Sequence, residues 1–256
     1  MTIVAVVADV QVGHEAALWP DGFLNHINHK WQKVLMQYWE DCWSCEDARN
    51  AEFVINLAES IEGNNRKDAG RHLVDVNLNH QKDAFVDLIK DYAKDRKYIG
   101  VDGSAYHNGL DYNVEEEIAK DVGGEFYGSI ANLKFKKTGH VIFATHKAGD
   151  AFIYKAQMLD RSSLYFSAIK SKLEEDPDML LYGHHHQYFR TDTVSRINVI
   201  APTWKFWHPI KGAAKFPQTQ PTIGSIFLKL PDNRGQIEIV KKTYKLEHIY
   251  SAIREV

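Results

Sequence analysis

The sequence predicts an α/β fold in which two packed, mixed β-sheets are flanked by helices. Three observations predict it. The first half alternates short apolar runs with stretches of helical period, in the order β-α-β-α-β-α. The second half is mostly strand-like runs joined by turn residues. The 256 residues are 44% hydrophobic and 25% charged, enough for one large core, and no repeat or low-complexity linker divides them. A single domain spanning 1–256 is therefore expected.

Each element has its own signal. Residues 2–10, "TIVAVVADV", form a Val/Ile-rich run that reads as a buried strand ending in an acid. Gly, Pro and Asp in the next dozen residues mark a loop. Trp31, Val34, Leu35, Tyr38, Trp39 and Cys42 recur at helical spacing within 28–43. "AEFVINLAE" (51–59) is a second buried strand, and Phe85, Leu88, Ile89 and Tyr92 share one face of a helix over 80–95. "KYIGVDG" (97–103) is a third strand. Asn113 starts a helix over 113–123, with acids in its first turn where the helix dipole favours them and a glycine at its end. Two strands within 130–146 meet at Lys137-Thr138-Gly139, a helix follows over 158–175, and 177–183 is a strand. Hairpins are expected over 188–202 and over 222–246, the latter turning at Asp232-Asn233-Arg234-Gly235.

Composition excludes several classes. A net charge of -3 does not suit a protein that wraps nucleic acid by bulk charge, although a local basic groove is compatible with it. No run of about 20 apolar residues exists to span a membrane. The N-terminal run lacks the basic start and small-residue cleavage site of a signal peptide. A cytoplasmic protein with no membrane partner is expected. Cys42 and Cys45 are too few for a disulfide framework and lack the second pair of a thiolate zinc site, so they read as a structural pair.

The polar residues after the apolar runs carry the functional signal. Asp9 ends the first strand, with Gln11 and His14 beyond; Glu59 ends the second, with Glu62 in the same turn. The third strand leads to Ser104 and His107, the next hairpin to His146, and the strand at 179–182 to Gly183, His184, His185 and His186. In parallel α/β sheets, the C-terminal strand ends form the ligand-binding edge. One acid after a strand is usually a cap or turn. Five elements aiming carboxylates, imidazoles and an amide at one edge read instead as a metal site, because these ligand types together suit zinc, iron, manganese or nickel. Two such ions about 3.5–4 Å apart clamp a phosphoryl oxygen and activate water.

These stations resemble the calcineurin-like metallophosphoesterase superfamily, whose pattern is D-x-H, G-D-x-x-D/E, G-N-H-D/E, a lone His, and G-H-x-H. Here they read "ADVQ", "LAESIEG", "GSAYHNG", "ATH" and "GHHH", over residues 9 to 186. "GSAYHNG…EEEIA" and the tail "VIAPTWKFW…TIGSIFLKL" look like phage and prophage members. The resemblance implies a four-layer α/β/β/α sandwich and two divalent ions, with manganese the first expectation and zinc, iron or nickel the others. It places Asp9, Gln11 and His186 on the first ion, Glu59 between the two, and His146 and His184 on the second. His107 is implied as the phosphate-contacting or proton-donating histidine, or as a ligand. Hydrolysis of a phosphomonoester or phosphodiester by metal-activated water is implied, with nucleic acid or a nucleotide as a substrate to test.

The chain departs from the pattern at three stations. Gln11 replaces a histidine, Ala58-Glu59 replaces Gly-Asp, and Ser104 stands where an asparagine ligand is usual. These changes imply weakened first-site binding, a changed metal preference, or a non-catalytic protein of the same fold acting by binding. His185 is expected to point away from its neighbours, and His14 is a candidate replacement for the missing imidazole. His26 and His29 read as surface residues; His140, His208 and His248 have no partner evident in sequence. Trp204, Phe206 and Trp207 read as core packing or as the aromatic wall of a binding cleft, with core the first expectation; Lys205, Lys211 and Lys215 read as solvated first and as phosphate contacts second.

Overall fold

A run with no charged residue, such as Thr2–Val7, is stable as a strand only when both of its faces are covered. The computed structural model, which describes residues 1–23, 30–64, 69–108, 113–149, 156–206 and 221–245, covers both. In chain order the elements are β1 (Thr2–Val7), α1 (Lys30–Ser44), α2 (Glu46–Arg49), β2 (Phe53–Asn56), α3 (Leu78–Ala93), β3 (Lys97–Gly100), α4 (Ala105–Asn108), α5 (Val114–Asp121) and β4 (Glu125–Phe126). They continue with β5 (Ala131–Lys134), β6 (Val141–Thr145), α6 (Ala156–Ile169), β7 (Met179–Tyr182), β8 (Phe189–Asp192), β9 (Ile197–Ile200), β10 (Ile223–Leu230) and β11 (Glu238–Tyr244).

The strands form two sheets, ordered β11-β10-β1-β2-β3-β4 and β5-β6-β7-β9-β8. Both are mixed. β1, β2, β3 and β4 run parallel, whereas β10 is antiparallel to β1 and to β11. In the second sheet β6, β7 and β9 are parallel, with β5 and β8 antiparallel at the edges.

Alternation along the strands sorts the core into layers. Ile3, Ala5 and Val7 pack with Leu35, Trp39, Phe85, Ile89 and Ile118 of the helices, while Val4 and Val6 join Met179, Leu181 and Val199 between the sheets. On β7 the intervening Leu180 and Tyr182 face Met158, Leu159 and Phe166 of α6. The order is helices, sheet, sheet, helix, as the fold class predicted. Trp204 is fully buried, crossing the Trp39 ring at 5.0 Å, and its Nε1 donates to Ser225 Oγ at 3.0 Å. Cys42 is buried, and burial pushes its thiol up to about 12, which fits a packing role.

The elements differ from their sequence signals mainly at their ends. The apolar run 2–10 stops being strand at Val7, because the chain leaves extended geometry to reach Asp9, whose φ is 51°. The 158–175 helix is Ala156–Ile169 followed by a 3-10 turn. The short elements α2, α4 and β4 have no sequence signal of their own. His140 does have partners: it is buried between Thr138 Oγ1 and the Gly235 carbonyl. His26, His29, Trp207, His208, Lys211, Lys215 and His248 lie outside the described residues.

Candidate metal centre

The C-terminal ends of β1, β2, β6 and β7 meet at one edge, and the chain leaves each by an unusual turn or a fixed side chain. Asp9, Gln11, Ala58, Glu59, His184 and His186 all have positive φ, between 51° and 73°. Non-glycine residues avoid this left-handed region, and each instance needs the surrounding structure to hold it. Here backbone bonds do so: Asp9 N donates to Ala58 O (3.0 Å) and Gln11 N to Glu59 O (2.9 Å), stitching the first two loops together. Thr203 Oγ1 adds a hydrogen bond to the Asp9 carbonyl at 2.7 Å.

Glu59 lies at the middle, and its side chain is 2% exposed. Its Oε1 lies 2.9 Å from His146 Nε2 and 3.9 Å from His184 Nδ1, and accepts a hydrogen bond from Ser104 Oγ at 2.7 Å. Its Oε2 accepts from Gln11 Nε2 at 2.8 Å and lies 3.3 Å from His107 Nε2. Burial opposes ionisation of Glu59, but the hydrogen bond from His146, the nearby His184 ring and the charges of His146 and His107 outweigh it and hold the carboxyl well below its ordinary range. At His146 burial likewise opposes the charge, yet the Glu59 carboxylate, helped by Asp9 and the Leu57 carbonyl, pushes the imidazole up to about 9.

Two ligand groups result, Glu59–His146–His184 and Asp9–Glu59–His186, the ligand atoms in each lying within 4.8 Å of one another. In the first, His146 Nδ1 donates to the Leu57 carbonyl at 2.7 Å, which fixes the tautomer and turns Nε2 into the site. His184 Nδ1 lies 3.2 Å from that Nε2. In the second, His186 Nε2 lies 3.4 Å from Asp9 Oδ1 and 3.2 Å from Gln11 Nε2. Asp9 Oδ2 accepts from His184 N at 2.8 Å.

These donors fit divalent ions. Asp9 Oδ1 and Gln11 Oε1 are buried with no hydrogen-bond partner among the described residues, and a cation satisfies such oxygens. Gln11 turns its NH2 toward Glu59 and the imidazoles of His107 and His186, and a half-turn of the amide exchanges nitrogen for oxygen. The His146 group offers two nitrogens and one oxygen; the Asp9 group is oxygen-rich. Imidazole favours zinc, iron or nickel, and carboxylate favours manganese or magnesium.

Asp9, Gln11, Glu59, His146, His184 and His186 therefore all reach one site, with His107 beside it. His107 Nδ1 donates to the Glu62 carbonyl at 2.8 Å, leaving Nε2 toward Glu59. His185 points elsewhere, its Nε2 3.2 Å from Gly149 O. His184 and His186 share the site through their left-handed turns, not through strand alternation. Gly183 supplies closeness rather than a special φ: a Cβ there would stand 3.0 Å from Asp9 Oδ2 and 3.3 Å from His146 Nδ1. His14 belongs to neither ligand group; its Nδ1 accepts from Ala16 N at 3.0 Å and its ring lies 5.6 Å from that of His72.

Further residues take part in the site. Ser104 orients Glu59. Lys205 is not solvated: its Nζ pairs with the buried Glu62 carboxylate at 2.8 Å. Glu115 and Asn56 lie beneath the Glu59 turn. The first-turn acids of α5 were read as dipole partners, and nothing in their spacing singles out Glu115 as the inward one.

No family model matches the chain, and no curated protein matches it in sequence. Solved structures do resemble it. Wild-type Vps29 from Entamoeba histolytica complexed with Zn²⁺ is 12% identical, over 94% of this chain and 99% of that one, with a TM-score of 0.46. A novel archaeal phosphodiesterase is 12% identical over 94% and 99%, with a TM-score of 0.47. A conserved protein from Streptococcus pneumoniae described as a predicted phosphoesterase is 10% identical over 94% and 90%, with a TM-score of 0.39. Identity this low transfers no activity, and the fold class rests on the strand order and layers themselves.

Proposed function

We propose that the chain is a divalent-metal-dependent phosphoesterase that hydrolyses a phosphomonoester or phosphodiester. The supporting observation is that Glu59 belongs to both of two ligand groups drawn from four strand ends. The order of stations from Asp9 to His186, which resembles calcineurin-like metallophosphoesterases, supports the same reading. Bound divalent ions supply Lewis acidity at the phosphoryl oxygens and lower the pKa of water to near neutrality. The chain's residues do the rest. His146 and His107, fixed through Nδ1 by carbonyl groups, present Nε2 without reorganisation. In this reading His107 contacts the phosphoryl group or gives a proton to the leaving oxygen, supported by its Nε2 standing 3.3 Å from Glu59 Oε2. Manganese, a nucleotide or nucleic-acid substrate, phage-type kinship and a cytoplasmic location belong to the same proposal; no helix among the described residues is long and apolar enough to cross a membrane.

The test is metal binding together with hydrolysis. Two equivalents of manganese or zinc per chain are expected by equilibrium dialysis. Hydrolysis of p-nitrophenyl phosphate or bis(p-nitrophenyl) phosphate should be abolished by chelation and restored by metal. Two bound ions with no hydrolysis of either substrate, or of oligonucleotides, would support a second reading, a binding protein of the same fold. The Gln11 amide, whose NH2 faces a carboxylate and two imidazoles, is the observation that favours it.

A further inference from the structure

Glu115 is a buried carboxylate on the second residue of α5, 1% exposed, outside both ligand groups. Its Oε1 accepts from the backbone N–H of Ser60 at 2.9 Å, and its Oε2 from Ser60 Oγ at 2.7 Å. Asn56, the last residue of β2, brings Nδ2 to 2.8 Å from Ser60 Oγ, 2.8 Å from Tyr98 Oη and 3.2 Å from Glu115 Oε2. Ser60 is the residue after Glu59 and is fully buried. The turn that precedes it, Ala58–Glu59, is left-handed at both residues. Glu59 is also one methylene longer than the aspartate of the pattern it resembles, so its backbone position decides where its two oxygens fall.

We propose that Glu115 is a positioning residue for Glu59: by grasping Ser60 through both its N–H and its hydroxyl, it holds the left-handed turn that presents the Glu59 carboxylate to both ligand groups. The inference rests on the two-metal reading above. The chemistry explains why a carboxylate stands there. Two acceptor oxygens meet two donors on one residue, whereas an amide has one oxygen and would turn an NH2 against the Ser60 N–H or against the Asn56 NH2. Burial raises the Glu115 pKa to about 7, opposed by the Ser60 N–H and hydroxyl, so the group is held where desolvation disfavours its charge. Such a placement suits a residue kept for the geometry it enforces.

The test uses the full chain with Glu115→Gln, Ser60→Ala and the double variant. Manganese binding is measured by calorimetry, and amide exchange by mass spectrometry with residue resolution. Glu59 serves both groups, so both metal affinities should fall together, by about 10-fold or more in Glu115→Gln, as second-layer partners of metal ligands do. Ser60→Ala should fall less, and the double variant should add little to Glu115→Gln, because both remove one interaction. Arg196→Met, which breaks a buried ion pair with Asp176 under α6, is the control for lost stability and should leave both affinities unchanged. Exchange at Gln11, whose N–H is held by the Glu59 carbonyl, should quicken in Glu115→Gln without any metal present. Wild-type affinities in Glu115→Gln, a loss at one ion only, or a loss matched by Arg196→Met would each overturn the proposal. If the wild type binds no metal, the two-metal reading fails by itself. Exchange at Gln11 then decides the positioning role, and unchanged exchange in the variant rejects it.

Discussion

The two halves of the site are built differently. On the His146–His184 side, each contact has a counterpart: His146 is fixed by the Leu57 carbonyl, Glu59 Oε1 meets His146, and Ser104 supports that oxygen. On the Asp9–His186 side, two buried oxygens have no hydrogen-bond partner among the described residues, and an amide turns its NH2 toward the other ligands. The first half is complete as protein. The second is complete only with a cation or a rotated amide. Of the three departures from the pattern the stations resemble, Gln11 falls on the Asp9 side, Ser104 on the His146 side, and Glu59 is common to both ligand groups.

The largest effect is expected where the halves join. Glu59→Ala should remove both ions and lower hydrolysis by on the order of 10³-fold, since each ligand group loses an oxygen and the two metals lose their bridge. Retention of one tight ion, measured by calorimetry, would show that the halves are independent. His146→Ala, by contrast, should remove one ion and leave the Asp9 side able to bind the other. His107→Gln should keep both ions and lower kcat by roughly 10²-fold, the usual scale of a lost general acid. If the metal count drops instead, His107 belongs to the ligands.

The fold was legible in the sequence because its signals are local. The runs at 2–7, 53–56 and 179–182 are buried on both faces, and the 223–244 hairpin closes on turn residues. The residues of the site were legible too, since each follows a strand. Their geometry was not. Left-handed φ at Asp9, Gln11, Glu59, His184 and His186 is disfavoured locally and exists only because loops from distant strands hold it, so no nearby residue announces it. Lys205 and Glu115 escaped for the same reason. Their partners, Glu62 and Ser60, lie 143 and 55 positions away.

Gln11→His tests the weaker half directly. An imidazole has no NH2 to set against Glu59, and it binds the borderline metals more tightly than an amide oxygen. Affinity on the Asp9 side should rise by about 10-fold with the His146 side unchanged, read as two resolved steps in a manganese or zinc titration. A fall would mean that Gln11 is matched to a harder ion.

Ser104→Ala is expected to give the smallest change, and it separates two roles for that hydroxyl. Ser104 Oγ donates to Glu59 Oε1, the oxygen nearest His146 and His184. A hydrogen bond to a carboxylate contributes about 1.5–3 kcal/mol, but Ser104 makes it with or without the ion, so only a part of that, about 1 kcal/mol or roughly fivefold, should appear in an affinity. If the hydroxyl only orients Oε1, the His146-side affinity falls about that much and the Asp9 side does not move. Loss of the whole second ion would instead make Ser104 a ligand, standing where the pattern has an asparagine. Because the oxygen it touches is the better supported of the two, a small one-sided change is the outcome that fits a half-site already complete without it.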